Sequence, residues 1–381
     1  MKRKNGRMKM TQLLASALLL TMMFVSGCSD DQNQPVSPNG GINSVTQSNL
    51  LSKDNPGVQR AMEVQNRNTE RFLEKHGVVG TGTGMDEEGN PAVIVFTERA
   101  LGKTAIPTSL EGIPVIEKVV GQVEPVGKGG GNTKSTASKK KPVTSSSTTS
   151  TLSTTSRHPR PVPIGISTGN INVCGGGTIG VRLRNGDNYY ALSCNHVWGR
   201  LNAAQIGESI VQPASSDAGC AKNLTDVVAS IADLEPIVHL STASNLMDAT
   251  LVATTVNDMS NSTPADGYGV PSSTPLDAVV GMSVQKYGRT TGLTKGKVSA
   301  INVTLGLNYG YGTARFVGQI AIEPIRKKAV FVDTGDSGSL VVTGDDSANP
   351  IGLVFAKAGS ITYLNPIQPI LTRFNVVVDG K

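Results

Sequence analysis

Phe331-Val-Asp-Thr-Gly-Asp-Ser-Gly-Ser-Leu340 sets one serine, Ser337, among glycines and brackets it with apolar, strand-like residues. A serine hydroxyl is a weak nucleophile until a base takes its proton and donors hold the oxyanion that forms on attack. Glycines beside it let the backbone turn tightly and aim its N–H groups at one point. The segment therefore asks the rest of the chain for a histidine and for a carboxylate to orient it.

The surrounding region is built of strands. Residues 178–184 and 188–193 flank Asn185-Gly186-Asp187, a strong hairpin signal. Further strand-like runs lie at 227–232, 246–254, 297–303, 315–322, 329–332, 340–342 and 351–355. Many short strands between turns predict an all-β barrel or sandwich. Residues 164–381 suffice for two small barrels acting as one unit. Sparse charge (17%), few aromatics (4%) and 43 glycines agree with strands and turns over long helices.

This region holds two histidines, His196 and His239. His196 follows the second hairpin strand in Ala191-Leu-Ser-Cys-Asn-His-Val-Trp198, a rigid place from which to aim a ring. His239 sits among apolar residues and is read as structural. Asp248 lies in Leu246-Met-Asp-Ala-Thr-Leu-Val252, where burial of an acid demands a partner, and an imidazole ring supplies one. Asp226 and Asp233 are rivals in more alternating, solvated contexts. The order His196, Asp248, Ser337 is that of the chymotrypsin-type triad; subtilisin and the α/β-hydrolases use others.

These residues, together with Cys174-Gly-Gly-Gly177, Asp248-Ala-Thr-Leu251, Lys286-Tyr-Gly-Arg-Thr-Thr-Gly-Leu-Thr-Lys-Gly296 and Gly335-Asp-Ser-Gly-Ser339, resemble the chymotrypsin-like (trypsin-like) serine peptidases over residues 164–375. Leu192-Ser-Cys-Asn-His-Val197 is similar to bacterial and plant members related to the narrow-leaf type. The resemblance implies a mainly β fold, a double six-stranded-type β-barrel, and a serine endopeptidase acting on protein or peptide without cofactor or metal. By the same resemblance Ser337 attacks the scissile carbonyl, His196 moves the proton, and Asp248 fixes the ring. The N–H groups of Gly335 and Ser337 form the oxyanion hole, and 354–357 is the wall strand that binds substrate backbone. An esterase using the same triad, or a non-catalytic surface-binding lipoprotein, are the alternatives. Because Cys194 precedes His196 rather than following it, a Cys174–Cys194 disulfide is the expected replacement for the family's bridge near the histidine. In the family Asp336 would pair with an activated N-terminus or a substitute, and no processed Ile-Val-Gly-Gly start stands out here. Phe331, six residues before the serine, does not suit an Arg or Lys side chain and suggests an apolar or small one.

Upstream, residues 1–27 carry five basic residues and no acid ahead of an apolar run, the form of a signal peptide. Val25-Ser-Gly-Cys28 resembles the lipobox of bacterial lipoproteins, which implies lipid attachment at Cys28 and an exported, membrane-anchored protein of the cell envelope, on its periplasmic or surface side. Export leaves Cys174, Cys194 and Cys220 in an oxidising compartment, so one disulfide and one leftover thiol are expected. With no CxxC pair or histidine cluster, no zinc site is expected. Residues 28–50 read as a flexible tether and 51–125 as a small α+β domain with a helix over 58–73 and strands at 78–85, 92–97 and 115–123. Gly80, Gly82 and Gly84 precede a strand rather than a helix, so they are strand glycines and not a dinucleotide fingerprint. Residues 126–163 form a basic, Ser/Thr-rich linker that is easily cut. The N-terminal domain ahead of that linker is an intramolecular chaperone or inhibitor in contact with the peptidase domain, a spacer, or a binding module. The net charge of +6 lies in the leader and in 128–160, which holds seven basic residues and no acid. A nucleic-acid partner would instead need the basic residues on a folded face with stacking aromatics, so none is expected.

Overall fold

The computed structural model describes residues 51–127, 152–326 and 328–381. The leader, Cys28, the tether at 28–50 and the middle of the expected linker lie outside the described residues. Among the described residues no helix is long and apolar enough to cross a membrane.

The elements run α1 (Pro56–Leu73), β1 (Val78–Met85), β2 (Pro91–Thr97), β3 (Ser109–Leu110), β4 (Ile113–Val119) and β5 (Glu124–Pro125) in the N-terminal segment. There follow β6 (Ser167–Asn170), β7 (Gly177–Thr178), β8 (Val181–Asn185), β9 (Asn188–Ser193), β10 (Ser209–Val211), β11 (Val227–Leu234) and β12 (Thr250–Thr254). The last group is β13 (Ser283–Gly288), β14 (Gly292–Asn308), β15 (Thr313–Pro324), β16 (Leu340–Thr343), β17 (Pro350–Ala358), β18 (Ile361–Pro366), α2 (Ile367–Phe374) and β19 (Val377–Val378).

The fold is mainly β, as the strand spacing predicts, and is a double barrel, as the resemblance implies. In the second barrel the order is β13-β16-β17-β18-β15-β14, and β14 pairs back onto β13 to close the ring. The first barrel has the order β8-β9-β12-β11-β10-β6-β7. Ile179 N–H donates to Ile166 O (3.0 Å) and Gly180 N–H to Leu192 O (2.9 Å), so β7 runs on into β8 and joins β6 to β9. Closure removes the open edges that would otherwise invite a foreign strand. The Asn185-Gly186-Asp187 hairpin forms as expected, with Gly186 at φ 56°. Residues 329–332 are not a strand. Phe331 O instead accepts from Thr294 Oγ1 (2.8 Å), and the run is a loop in which Phe331 and Val332 pack inward while Ala329 and Val330 are exposed.

The N-terminal segment is joined to the second barrel. β1 pairs antiparallel with β14, so β1, β2, β4 and β3 extend the barrel sheet. Gly80 makes this approach feasible, since a Cβ there would stand 2.7 Å from Thr304 O. Asn55 caps α1 by accepting from Gly57 N (2.8 Å) and Val58 N (3.3 Å), and Pro56 opens the helix, where its missing N–H is not needed. The buried face of α1 includes Val58, Val64 and Phe72. From that face Gln65 Nε2 also reaches Asn302 O on β14 (2.8 Å).

Residues 152–163, expected as solvated linker, are bound to the first barrel. Arg160 Nη1 meets Asp258 at 2.7 Å, Arg157 pairs with Asp226, and Val162 N–H donates to Asp258 O (2.9 Å). Distant acids neutralise the basic residues that make this stretch look like a solvent-exposed tether.

The disulfide expectation needs correction. Cys174 is bonded to Cys220, not to Cys194, whose thiol is free and buried. Cys194 follows β9, is buried and donates to Val354 O in the other barrel (3.1 Å), whereas Cys174 and Cys220 lie in loops. For a bridge with a sequence separation of 46, loop closure is worth about 4 kcal/mol at most. Replacing both Cys174 and Cys220 by Ala is expected to lower unfolding stability by about 2–4 kcal/mol. The check is a drop in the urea midpoint that adding reductant to the variant does not deepen.

Candidate active site

His196 sits in a single wide helical turn, Asn195–Gly199, directly after β9. The turn is pinned from within. Asn195 Nδ2 donates to Asn202 Oδ1 (2.8 Å) and Glu235 O (2.7 Å), and Trp198, fully buried, donates from Nε1 to Thr168 Oγ1 (3.1 Å). Asp248 lies just before β12 and is held from the second barrel. Its N–H donates to Asn365 Oδ1 (3.0 Å), and Asn365 Nδ2 donates in turn to Gln319 Oε1 (2.7 Å). Ser337 follows two turn residues with Gly338 behind it. Gly335 has φ 107° and Gly338 φ 89°, and a Cβ on Gly338 would lie 2.1 Å from Ser193 Oγ, so only glycine fits there.

The three side chains meet between the barrels. His196 Nδ1 is 2.5 Å from Asp248 Oδ2, and His196 Nε2 is 2.8 Å from Ser337 Oγ. Asp248 Oδ1 also accepts from the His196 N–H (3.0 Å), tying ring and backbone to one carboxylate. Asp248 is wholly buried. Burial acts to raise its pKa, but the His196 charge and the hydrogen bonds from His196 and Tyr309 outweigh it and hold the carboxyl below its ordinary value. The rivals are elsewhere: Asp226 pairs with Arg157, and Asp233 with Arg373 (2.9 Å).

Three further residues join the site that the sequence reading did not place there. Tyr309 Oη donates to Asp248 Oδ2 (2.6 Å), and burial followed by the Asp248 charge pushes this phenol well up, so it stays a donor. His239, expected to be structural, stacks edge-on against Tyr309 with ring centroids 5.8 Å apart. Lys286 answers the question of Asp336. It is fully buried, with Nζ 3.6 Å from Asp336 Oδ2. Burial lowers the lysine pKa and the Asp336 charge opposes that shift. Asp336 further accepts from Thr290 N–H (2.8 Å), Thr291 Oγ1 (2.7 Å) and Asp333 N–H (2.9 Å), which fixes the loop that carries Ser337. An internal ammonium thus supplies the counter-charge of Asp336.

Cys194, His196 and Asp248 bring ligand atoms within 4.8 Å of one another. Both His196 nitrogens are already committed, and burial pushes the Cys194 thiol well up, away from the thiolate that metal binding requires. The donor set suits proton transfer better than a metal ion.

The cleft is filled by the chain itself. β5 pairs antiparallel with β17, matching Pro125 to Ala356 and Glu124 to Lys357. Val126 N–H donates to Phe355 O (3.1 Å), and Val126 O accepts from Gly335 N–H at 2.5 Å. Gly335 therefore does aim its amide into the cleft.

A family model described as the Nal1 C-terminal domain matches residues 239–365. Similar solved structures include a glutamic acid specific serine protease described as using a novel histidine triad in substrate binding, at 21% identity over 57% of this chain and 100% of that one, TM-score 0.41. Thermobifida fusca protease A is 20% identical over 54% of this chain and 92% of its own, TM-score 0.38. The α-lytic protease homolog N4 is 20% identical over 57% and 98%, TM-score 0.39.

Proposed function

We propose that this chain is a serine endopeptidase that cleaves peptide bonds through an acyl-enzyme on Ser337. The observation that carries the proposal is a single imidazole bridging Asp248 at 2.5 Å and Ser337 at 2.8 Å. In the first half-reaction Ser337 Oγ attacks the carbonyl carbon, and its proton passes to His196 Nε2. The ionised Asp248 stabilises the imidazolium, which then protonates the leaving amine. Water repeats the sequence in reverse and frees the acid product. The Gly335 N–H faces the developing oxyanion, a contribution of about 3 kcal/mol per such donor. An extended peptide already lies along β17, which favours an amide substrate over a simple ester. We further propose export and lipid attachment at Cys28, on the lipobox resemblance alone.

The test is covalent labelling by a valine-type diphenyl phosphonate, applied to wild type and to Val126→Asp, whose buried charge is expected to unseat the strap. Label on Ser337 in at least one of them, lost in Ser337→Ala, is expected. A folded protein that takes no label in either form rules the peptidase reading out. Mass spectrometry of Cys28 in membrane fractions tests the anchor.

A further inference from the structure

We infer that the first substrate of this site is the chain's own Val126–Gly127 bond, an inference that rests on the peptidase reading above. The strap that enters the cleft leaves β4 at Val119, and Val120 N–H donates back to Thr97 O (2.8 Å). Residues 124–126 then run antiparallel to β17 with hydrogen bonds on both sides of Val126: its N–H to Phe355 O, its carbonyl to the Gly335 N–H. That carbonyl is therefore polarised by the donor that the mechanism needs for the oxyanion. The Val126 side chain is fully buried in an apolar cluster with Phe331, Val332 and Val354. This is a pocket for a side chain of valine size, and it explains why Phe331 stands at the position that disfavours a basic one. Glu124 is matched outside it by Lys357 Nζ at 3.5 Å.

Gly127 settles the direction of the bond. A Cβ built on it would come within 2.5 Å of His196 Nε2 and 3.4 Å of Ser337 Cβ. The residue after the pocket thus lies against the base, where a leaving amine takes its proton, and a larger side chain would push the ring away. A merely blocking strap needs neither the carbonyl at the oxyanion donor nor a glycine against the imidazole.

The step balances within the chain. Ser337 Oγ bonds to the Val126 carbonyl carbon, the bond from that carbon to the Gly127 nitrogen breaks, and the serine proton passes through His196 to the Gly127 amine. Water then cleaves the ester, leaves a carboxylate on Val126 and restores the Ser337 hydroxyl. The severed 51–126 segment stays seated, because β1 remains paired to β14 and Gln65 to Asn302. Its new carboxylate lies beside the Gly335 N–H and occupies the cleft as product until the segment departs. Chemically equivalent substrates are extended peptides with an acidic residue, proline and a valine-sized residue ahead of the cut.

The experiment is intact mass and N-terminal sequencing of wild type, Ser337→Ala and Val126→Asp, each made as the full chain. A quenched peptide containing Glu-Pro-Val-Gly is added to each. Wild type is expected as two co-eluting fragments, one ending at Val126 and one beginning at Gly127; Ser337→Ala stays whole. An intact bond in wild type, a cut elsewhere only, or the same cut in Ser337→Ala overturns the inference. If the bond stays intact while Val126→Asp hydrolyses the quenched peptide, the peptidase reading survives and the strap is an inhibitor alone. If neither the bond nor the peptide is cut in any form, both fall.

Discussion

Asp248→Asn is expected to lower kcat by about four orders of magnitude, the size of effect known for the same change in the chymotrypsin-type triad, while the fold and KM are retained. The reason lies in donor counting. Asp248 accepts from three donors, with His196 Nδ1 and Tyr309 Oη on Oδ2 and the His196 backbone N–H on Oδ1. A carboxylate only accepts, so all three are satisfied. An asparagine keeps its oxygen for the backbone N–H and must then present an NH2 group to Nδ1. Two donors cannot face each other, so the ring moves its proton to Nε2. That nitrogen then cannot accept from Ser337, 2.8 Å away. Tyr309 adapts by turning its hydroxyl to accept, which is why stability suffers less than activity. The measurement is kcat on the Glu-Pro-Val-Gly peptide in the Val126→Asp background; a loss under tenfold would reject Asp248 as the orienting group. Acid provides a second check. Because the folded value of Asp248 lies below the ordinary carboxylate value, its ionisation stabilises the fold above that ordinary value. The stabilisation is lost as pH falls through the folded value. The variant lacks that acid-side loss.

That His196, Asp248 and Ser337 belong together was legible because each sits in a local context that is costly without a purpose: a histidine at a hairpin end, an acid inside an apolar run, a glycine-framed serine. The residues that tune them were not. Tyr309 lies 61 residues from Asp248 and Asn365 lies 117 away. Each joins the site only when the second barrel closes against the first, and neither carries a local signature. Residues 152–163 misled for a related reason, since Arg157 and Arg160 find their acids 69 and 98 residues on. A composition-based reading sees only the unpaired charge. The strand predicted at 329–332 failed because a short continuous apolar run does not by itself distinguish a ladder strand from a loop that tucks Phe331 and Val332 inward. The disulfide failed because it was carried over from a resemblance, whereas the facing of Cys194 into the barrel interface decides the pairing.

The N-terminal segment changes meaning once its strap is seen. Its helix and strands alone read as a separate α+β domain before a linker. In the fold, the same glycine-rich β1 that brings it against β14 anchors one end of a strap whose other end fills the cleft. Folding contact and occupation of the site are thus two consequences of one attachment. Weakening the β1–β14 pairing should expose the cleft without touching His196, Asp248 or Ser337.

Lys286→Met is expected to destabilise the fold by about 3–5 kcal/mol, the cost typical of removing one partner from a buried ion pair. Methionine fits the space of the lysine stem, so packing is not the cause. Lys286 Nζ also donates to Gly292 O (2.9 Å) and to Thr291 Oγ1, and Asp336 depends on the same Thr291. Without the ammonium, a carboxylate with no solvent exposure keeps its backbone donors but loses its counter-charge. Two relaxations are open to it: it takes up a proton, or it swings toward solvent and drags residues 333–338 with it. The second moves the Gly335 N–H that faces the oxyanion, so activity falls further than stability alone requires. Lys286→Met combined with Asp336→Asn removes both charges and keeps an acceptor for Thr290 and Thr291. It should regain a substantial part of the lost stability, since the pair's desolvation cost disappears along with its attraction. Denaturant unfolding of the two single variants and the double variant, with kcat recorded for each, measures the coupling. If the double variant is as unstable as the sum of the singles, the two charges are not partners.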